Sequence, residues 1–217
     1  MKNKKKFITF EGGEGSGKST QAKLLYSSIK KISNEKVFLT REPGGTKFSE
    51  KIRKLIVSKT NYQIDPITEL LLINASRNEH IKKVILPKLL NNYTIISDRF
   101  LDSTFAYQVS GHGLNEKIFD NFNNFIIDGC LPYITFLIDI SPTVGIERSL
   151  KIKKIENRFE NFNINFHKRV RNGFKTIAKN NKRIHLINGN KSIKNIHTEI
   201  INKINEANIF KEKLNIL

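Results

Sequence analysis

Short apolar segments alternate with longer amphipathic segments along the chain, a pattern typical of βα units on a parallel sheet. Ser141 followed by Pro142 has the residue types of an N-cap and a first helical position, which predicts a helix through residue 150. The predicted strands cover residues 7–10, 37–40, 94–97, 134–138 and 184–187. The other predicted helices cover residues 19–32, 49–57, 67–90 (with a break before Pro87 as an alternative), 115–128 and 166–178. The sequence therefore predicts a single α/β domain over residues 1–217, with a five-stranded parallel sheet flanked by helices.

Composition restricts the class of protein. A chain of 217 residues with 38% hydrophobic and 27% charged residues can bury one substantial core, which argues against wholesale disorder. No apolar run approaches the roughly 18 residues of a membrane span, and the basic start lacks the apolar length of a signal peptide. The one cysteine, Cys130, cannot form an internal disulfide. We therefore expect a cytoplasmic protein that is not membrane-embedded.

The net charge of +18 allows two interpretations. A strongly basic chain is typical of proteins that bind nucleic acid or polyanionic substrates, but it also results from a composition heavy in Lys, Asn and Ile. The basic residues are scattered over the whole chain, and no RNP, zinc-finger or basic-zipper signature occurs. We favour the second interpretation, in which the charge follows from composition and a few basic side chains bind nucleotide phosphates. We therefore expect no nucleic-acid partner.

The strongest chemical signal is the segment GGEGSGKS at residues 12–19, which fits G-x-x-x-x-G-K-[ST] between a predicted strand and a predicted helix. Glycines let successive backbone N–H groups point inward around phosphates, and the following helix adds its positive end. Lys18 supplies a mobile charge for the β- and γ-phosphates, and the Ser19 hydroxyl is the expected Mg²⁺ ligand. The alternative is a flexible glycine-rich turn. The expected ATP-binding residues are Gly12, Gly13, Glu14, Gly15, Ser16, Gly17, Lys18, Ser19 and Thr20.

A carboxylate is expected beside this loop as a second group for Mg²⁺. Asp98 ends the third predicted strand and fits the carboxylate that holds Mg²⁺ through water in P-loop proteins, although a helix N-cap is the alternative. Asp139 ends the fourth strand in the same way, but the dense group of polar residues follows Asp98. These residues predict a nucleoside triphosphate and Mg²⁺ and leave open whether water, a protein or a small molecule accepts the phosphoryl group.

Three further segments bear on the acceptor: TREPGGT at 40–46, NASRNEH at 74–80 and DRFLDSTFAYQ at 98–108. Together with the phosphate loop they closely resemble the thymidylate kinase family, at similar spacing from about residue 5 to about residue 190. The resemblance implies a P-loop kinase fold with a short lid at about 145–160. It also implies phosphorylation of dTMP to dTDP with ATP and Mg²⁺, for dTTP synthesis and DNA replication, by a homodimer.

The resemblance implies a role for each of several arginines. Arg41, Arg53 and Arg99 match positions that bind the acceptor phosphate, and the planar guanidinium suits bidentate phosphate binding better than an ammonium group. The alternative for each is a surface or salt-bridging arginine, which is strongest for Arg53 on its helix. Lys18, Arg41 and Arg99 are accordingly the expected catalytic residues around the transferred phosphoryl group.

Other matched positions concern the nucleoside. Tyr107 matches the residue under the sugar C2′, where it would crowd a ribose hydroxyl, although a core aromatic is the alternative. Glu14 matches an acidic position that reaches the sugar 3′-hydroxyl. The expected contacts to the pyrimidine edge are Arg77 and Gln108, with Thr104 nearby on the same face. The resemblance therefore implies a deoxyribonucleotide acceptor. Glu11 and Glu42 are further acidic candidates near the Mg²⁺ and the acceptor.

Two positions depart from the family pattern. Ile73 stands where the family usually stacks a Phe on thymine, so it lacks the aromatic contribution of about 1 kcal/mol. Family members without an Arg in the phosphate loop usually carry a catalytic Arg after the fourth strand, and the aligned residue here is Lys154. Either Lys154 or a neighbouring lysine replaces that Arg, or Arg158 reaches the site. Lys154 and Arg158 are therefore the candidate catalytic residues.

Two other functions stay open on the sequence alone. Ile73 leaves open a kinase of the same fold whose acceptor is dUMP, dGMP or a nucleoside. A P-loop ATPase on nucleic acid would show salt-sensitive DNA or RNA binding and nucleic-acid-stimulated hydrolysis. Protein-kinase landmarks such as HRD and DFG are missing from the sequence, which argues against a protein acceptor.

Overall fold

The computed structural model describes residues 6–32, 35–59, 62–151 and 158–215. Its centre is one sheet of five parallel strands in the order β2-β3-β1-β4-β5. The strands are β1 (Phe7–Glu11), β2 (Val37–Arg41), β3 (Thr94–Asp98), β4 (Ile134–Asp139) and β5 (Ile184–Asn188). The predicted five-stranded parallel sheet is confirmed.

Each strand extends one residue beyond its predicted end, and every added residue is polar. The backbone ladder causes this, because Arg41 is paired with Asp98, and Asp139 with Asn188, in the same register as the apolar residues before them. The strands are parallel, so these polar ends lie along one edge of the sheet. β3 and β2 lie on one side of β1, and β4 and β5 lie on the other, so the strand order reverses at β1. Ligands of open α/β sheets bind in the crevice at the point where the strand order reverses.

Nine α-helices surround the sheet within the described residues. Ser141 caps α7 through its Oγ, which accepts from the Val144 amide at 3.4 Å, as the sequence predicts. The helices are α1 (Lys18–Lys30), α2 (Lys47–Val57), α3 (Pro66–His80), α4 (Leu86–Leu90), α5 (Leu101–Thr104), α6 (Glu116–Ile127), α7 (Pro142–Leu150), α8 (Ile164–Asn180) and α9 (Ile193–Glu206). No helix in this part of the chain combines the length and the hydropathy needed to cross a bilayer.

The predicted helix at 67–90 differs from the structure in its interior. Helix α3 continues through a π-helical turn (Ile81–Ile85) into α4, so the chain does not break before Pro87. Pro87 has no N–H to donate and lies in the first turn of α4, where a helix tolerates proline. The wider π turn therefore accommodates the proline without ending the helix.

The segment after β3 is helical, which the sequence analysis did not predict. Helix α5 continues into a π-helical segment (Phe105–Gly111) whose side chains Ala106, Tyr107 and Gln108 are buried. Its inward face carries polar residues because this face lines the site, so it lacks the apolar spacing that indicates a helix.

Apolar side chains cover both faces of the sheet. Ile8 and Phe10 of β1 pack on one face with α1 and α9, whereas Phe7 packs on the other with residues of α6 and the π turn after α3. All five residues of β1 are buried, as expected for a central strand of a parallel sheet. The buried centre thus fixes the carboxyl end of β1, where the phosphate loop begins.

Candidate active site

The phosphate loop, residues 12–19, joins β1 to α1 in a tight backbone turn. Gly15 and Gly17 have φ angles of 63° and 95°, and a Cβ at Gly15 would lie 2.0 Å from the carbonyl oxygen of Gly145 in α7. The loop is therefore packed directly against α7, and only glycine fits there. Lys18 begins α1, and its Nζ donates to the carbonyl oxygen of Gly13 at 3.1 Å. This arrangement provides a glycine-rich turn, a helix N-terminus and a lysine, which together suit a phosphate chain.

Ser19 and Asp98 form a candidate Mg²⁺ site beside this loop. The Ser19 hydroxyl donates to Oδ2 of Asp98, while Oδ1 of Asp98 is buried and has no hydrogen-bond partner among the described residues. Mg²⁺ in nucleotide sites takes one or two protein oxygens and obtains the rest from phosphates and water, so these two groups fit it. Asp139 differs, because Arg171 donates to both of its oxygens at 2.6 and 2.8 Å.

Arg99 connects the phosphate loop to α5. It follows β3 with a φ of 72°, an uncommon conformation for a residue other than glycine and one that recurs at functional sites. Its Nη1 donates to the carbonyl oxygen of Gly12 at 3.0 Å and to Ser103 Oγ at 2.9 Å. Its Nη2 donates to Oε1 of Glu14 at 2.7 Å and to the Tyr107 hydroxyl at 3.1 Å. One guanidinium group thus fixes the loop and the helix relative to each other.

The ionisation of Glu14 and Tyr107 follows from these contacts. Burial alone would raise the pKa of Glu14, but the positive charges of Arg99 and Lys18 outweigh it and lower the pKa to about 2. Burial raises the pKa of Tyr107 well above its ordinary value. At neutral pH the site therefore contains an ionised Glu14 that accepts a hydrogen bond from a neutral phenol.

A buried polar network surrounds Arg77. Its Nε donates to Oε2 of Glu42 at 2.7 Å, and its Nη2 donates to Thr104 Oγ1 at 2.8 Å. His80 Nδ1 lies 3.0 Å from Oε1 of Glu42, and His80 Nε2 lies 2.7 Å from Thr40 Oγ1. Burial would raise the pKa of Glu42, but the charge of Arg77 and the hydrogen bond with His80 lower it. The network orients a guanidinium group at the wall of the site.

The arginines near the mouth of the site are held less tightly. Nη2 of Arg41 donates to Oε2 of Glu50 at 2.9 Å, and both side chains are exposed. Nη1 of Arg53 donates to the carbonyl oxygen of Pro43 at 3.0 Å. Exposed ion pairs of this kind contribute little to stability, so Arg41 can exchange Glu50 for a phosphate at small cost.

One cavity of about 820 Å³ brings the predicted phosphate and nucleoside residues together. The predicted residues that line it are Glu14, Lys18, Ser19, Arg41, Arg53, Ile73, Arg77, Asp98, Arg99, Thr104, Tyr107 and Gln108. Phe159, which the sequence analysis did not single out, also lines this cavity. Its ring lies edge-on to that of Tyr107, with centroids 5.3 Å apart. The residues predicted for the phosphate chain and those predicted for the nucleoside therefore face the same space.

Of the two candidate lid cations, only Arg158 is among the residues that the structure describes. Lys154 lies outside the described residues. Nη1 of Arg158 donates to the carbonyl oxygen of Ile56 at 2.9 Å and pairs with Oε2 of Glu69. The side chain of Arg158 is 11% exposed, pairs with the buried Glu69 and does not line the cavity.

Comparison with known proteins identifies the family of this chain. The family model described as thymidylate kinase matches residues 10–200. Thymidylate kinase of a Sulfurihydrogenibium species is 42% identical over 94% of this chain and 98% of its own length, and that of Wolbachia pipientis wMel is 45% identical over 91% and 99%. The crystal structure of thymidylate kinase from Ehrlichia chaffeensis superposes with a TM-score of 0.73, at 39% identity over 91% of this chain and 97% of that one. The chain belongs to the thymidylate kinase family.

Proposed function

We propose that this chain carries out its reaction by binding ATP and dTMP in the two halves of the cavity of about 820 Å³. As a thymidylate kinase, the enzyme phosphorylates dTMP to dTDP with ATP, for dTTP synthesis and DNA replication. The observation that carries the proposed site is the shared cavity, which Lys18 lines from the phosphate loop and Arg99 from the end of β3.

The donor half consists of the phosphate loop and the start of α1. The loop amides and Lys18 bind the β- and γ-phosphates, and Ser19 with Asp98 would hold the metal. Mg²⁺ bound there would neutralise charge on the β- and γ-phosphate oxygens. The unpartnered Oδ1 of Asp98 supports this assignment, because a buried carboxylate oxygen otherwise lacks compensation for its lost hydration.

The acceptor half binds the dTMP phosphate through arginines. Arg99 and Arg41 orient its oxygens toward the γ-phosphate, and Arg53 adds charge at the mouth of the cavity. Phosphoryl transfer depends mainly on positioning and charge stabilisation, which these guanidinium groups supply. No general base is needed, since a phosphate monoester with a second pKa of about 6 is already ionised at neutral pH.

The nucleoside is recognised by the inner wall of the cavity. Arg77, Thr104 and Gln108 contact the pyrimidine edge, and Ile73 packs on its face. Tyr107 lies under the sugar C2′ and Glu14 reaches the 3′-hydroxyl. The tight bond between Tyr107 and Glu14 supports these paired roles, because it holds both side chains at one sugar.

A lid at about 145–160 covers the transferring group and excludes water, which suppresses hydrolysis. Helix α7 forms its first part. Of the two candidate cations, we propose Lys154 as the catalytic one, because Arg158 does not line the cavity and pairs with the buried Glu69.

We also propose a cytoplasmic homodimer that pairs through its helices. Apolar side chains on α2, α3 and α6 support the pairing, since Leu55, Leu71 and Phe125 are 53%, 45% and 83% exposed. Phe125 lies away from the buried side of α6, where Phe119 and Ile126 pack on the core. The single cysteine, Cys130, suits the reducing conditions of the cytoplasm.

A panel of acceptors in a coupled ADP assay tests the function. We expect dTMP to give the highest kcat/KM, ahead of dUMP, dGMP and thymidine, and slow ATP hydrolysis without an acceptor. ATP turnover that ignores dTMP and rises with added DNA or RNA would contradict the kinase and favour the nucleic-acid ATPase.

A further inference from the structure

Glu69 is a fully buried carboxylate in contact with Gln108, which lines the cavity. It lies on α3 with an exposure of 0%. Nε2 of Gln108 donates to its Oε1 at 2.7 Å, and Arg158 pairs with its Oε2. His112 Nε2 lies 3.4 Å from Oε1. The carboxylate therefore connects a residue of the candidate base pocket to the segment that follows the lid.

The charge of Glu69 determines which way the Gln108 amide faces. Burial would raise the pKa of Glu69, but the nearby imidazole of His112 and the charge of Arg158 lower it, so the group is ionised at neutral pH. An ionised carboxylate has only acceptor atoms. The amide of Gln108 must therefore turn its NH₂ group toward Glu69, and the opposite orientation would place two acceptors against each other.

The fixed amide leaves its carbonyl oxygen for another donor. Gln108 is 1% exposed and lines the cavity, and its Oε1 is buried without a hydrogen-bond partner among the described residues. A buried acceptor without a donor is unfavourable, so this atom favours a ligand that brings an N–H group. Arg77 on the same wall presents donors only.

We propose that Glu69 is a positioning residue that selects the base by fixing the side-chain amide of Gln108 with its carbonyl oxygen toward the ligand. This inference rests on the proposed contact of Gln108 with the pyrimidine. Thymine and uracil carry a proton on N3 and donate to this oxygen. Cytosine has an unprotonated N3, which is an acceptor and would face the carbonyl oxygen without a proton between them. The pair therefore discriminates dTMP and dUMP from dCMP.

Arg158 acts through Glu69 and is the second positioning residue. Its backbone N–H donates to the carbonyl oxygen of Val57 at 3.1 Å, and its guanidinium carbon lies 5.3 and 5.4 Å from the ring centroids of Phe159 and Phe162. These contacts hold the guanidinium group against Glu69 and keep that carboxylate ionised. Base recognition is thereby tied to the segment just beyond the lid.

The substitution Glu69→Gln tests the role of the charge, because an amide at residue 69 can present either a donor or an acceptor to Gln108. In the full-length enzyme, kcat and KM are measured for dTMP and for dCMP. We expect the ratio of kcat/KM for dTMP over dCMP to fall about tenfold or more, mostly through a higher KM for dTMP, since the lost contact concerns binding. The matched control is Glu79→Gln, which removes a carboxylate of the same helix that pairs with Lys83.

A second variant avoids leaving Arg158 buried without its partner. Glu69→Gln combined with Arg158→Gln removes both charges, and paired removal is far better tolerated than loss of one partner. Folding is checked by circular dichroism and thermal melting. The same fall in selectivity is expected, whereas an unchanged ratio in a folded variant would overturn the proposal.

A substrate analogue tests the role of the N3 proton in the unaltered enzyme. dTMP methylated on N3 keeps the thymine shape near its carbonyl groups but has no N3 proton, and we expect its KM to rise about as far as that of dCMP. Efficient turnover of this analogue would also overturn the proposal. Failure of the enzyme to phosphorylate dTMP itself is a separate result, which would remove the proposed function as well.

Discussion

The hydroxyl of Tyr107 donates to Oε1 of Glu14 at 2.6 Å, although the two residues are 93 positions apart in the sequence. Glu14 belongs to the phosphate loop, and Tyr107 belongs to the helical segment that lines the nucleoside side of the cavity. Arg99 donates to the same oxygen at 2.7 Å. Because the bond joins the two halves of the proposed site, a displaced phosphate loop would also displace the proposed sugar pocket.

Two substitutions at Tyr107 separate its hydroxyl from its ring. Tyr107→Phe keeps the ring that packs against Phe159 and Phe174 and loses the bond to Glu14. We expect kcat/KM for dTMP to fall about ten- to a hundredfold, in line with the loss of a hydrogen bond to a charged group of about 1.5–3 kcal/mol. Discrimination against the ribose form of the same nucleotide should stay, because the ring still crowds C2′.

Tyr107→Leu removes the ring as well and should relax that discrimination. Steady-state kinetics with the deoxy and ribo nucleotides measure both effects. If the Leu variant still rejects the ribonucleotide as strongly as the parent does, Tyr107 does not sense the sugar.

Glu14 should make the stability of the enzyme depend on acid pH. Its pKa is about 2 in the folded protein against an ordinary value of 4.5. A lowered carboxyl pKa stabilises the fold above pH 4.5, and this contribution is lost as the pH falls toward 2, with about 2 kcal/mol lost by pH 3.

Urea denaturation between pH 7 and pH 3 tests this dependence. The free energy of unfolding should fall less steeply for Glu14→Gln than for the parent. The matched control is Glu147→Gln, because Glu147 pairs with Lys151 on the surface. Parallel curves for the parent and Glu14→Gln would contradict the expectation.

Asp98 ends β3 and Asp139 ends β4, the two strands that flank β1. The pair allows a matched test of the proposed metal site. Asp98→Asn weakens the proposed Mg²⁺ site, so half-maximal activity should need at least about tenfold more Mg²⁺. Asp139→Asn should leave that requirement unchanged, since Arg171 occupies the Asp139 carboxylate. A magnesium titration of activity at saturating ATP and dTMP compares the two. Equal shifts in both variants would argue against Asp98 as the metal group.

The strands were predictable because buried parallel strands are short, continuously apolar and bounded by polar residues. The strand pattern does not extend to their last residues, because the apolar residues end at Leu39 and Ile96 while the backbone pairing continues to Arg41 and Asp98. Arg41 and Asp98 were identified as candidates from their chemistry and from the family resemblance, and the strand pattern did not include them.

Local sequence patterns did not predict the helix after β3 or the pairing of Arg158 with Glu69. Thr104 and Gln108 are buried polar residues, so their helix carries no apolar stripe of the usual kind. Glu69 lies 39 positions from Gln108 and 89 from Arg158. Pairing across such separations depends on how α3 packs beside the π-helical segment, which spacing within either segment does not encode. The sequence therefore identified Gln108 and Arg158 as candidates without indicating that one carboxylate joins them.

Gly45 should be intolerant of any side chain because of His80. A Cβ at Gly45 would lie 2.3 Å from His80 Cδ2 and 2.3 Å from His80 Nε2. Gly45→Ala should therefore displace His80 and, through Glu42, the guanidinium group of Arg77. We expect a loss of about 1–3 kcal/mol in stability from the overpacking and a KM for dTMP that is about tenfold higher.

The control for Gly45→Ala is Gly113→Ala. Gly113 has a φ of 80°, close to the 88° of Gly45, but no atom lies within 4 Å of its added Cβ. Both variants carry the same backbone strain, so only the steric effect on His80 differs. Chemical denaturation and dTMP kinetics compare them, and an equal KM in the two variants would show that His80 does not position Arg77.

Ile73 and Phe159 share the apolar wall of the cavity. Ile73 packs with Ile56 and Val57, and Phe159 packs against the same cluster. Phe159 therefore supplies an aromatic ring close to the place where the family pattern has a Phe. Ile73→Phe adds a second ring, and we expect dTMP to bind about fivefold more tightly, which corresponds to about 1 kcal/mol of aromatic stacking.

Phe159→Leu should weaken dTMP binding by a similar factor, because it removes the ring that is already present. Phe122→Leu is the matched control, since Phe122 packs against the core from α6 and does not line the cavity. Isothermal titration calorimetry with dTMP measures all three variants. No gain in Ile73→Phe, or equal losses in the two Leu variants, would mean that the base does not stack on this wall.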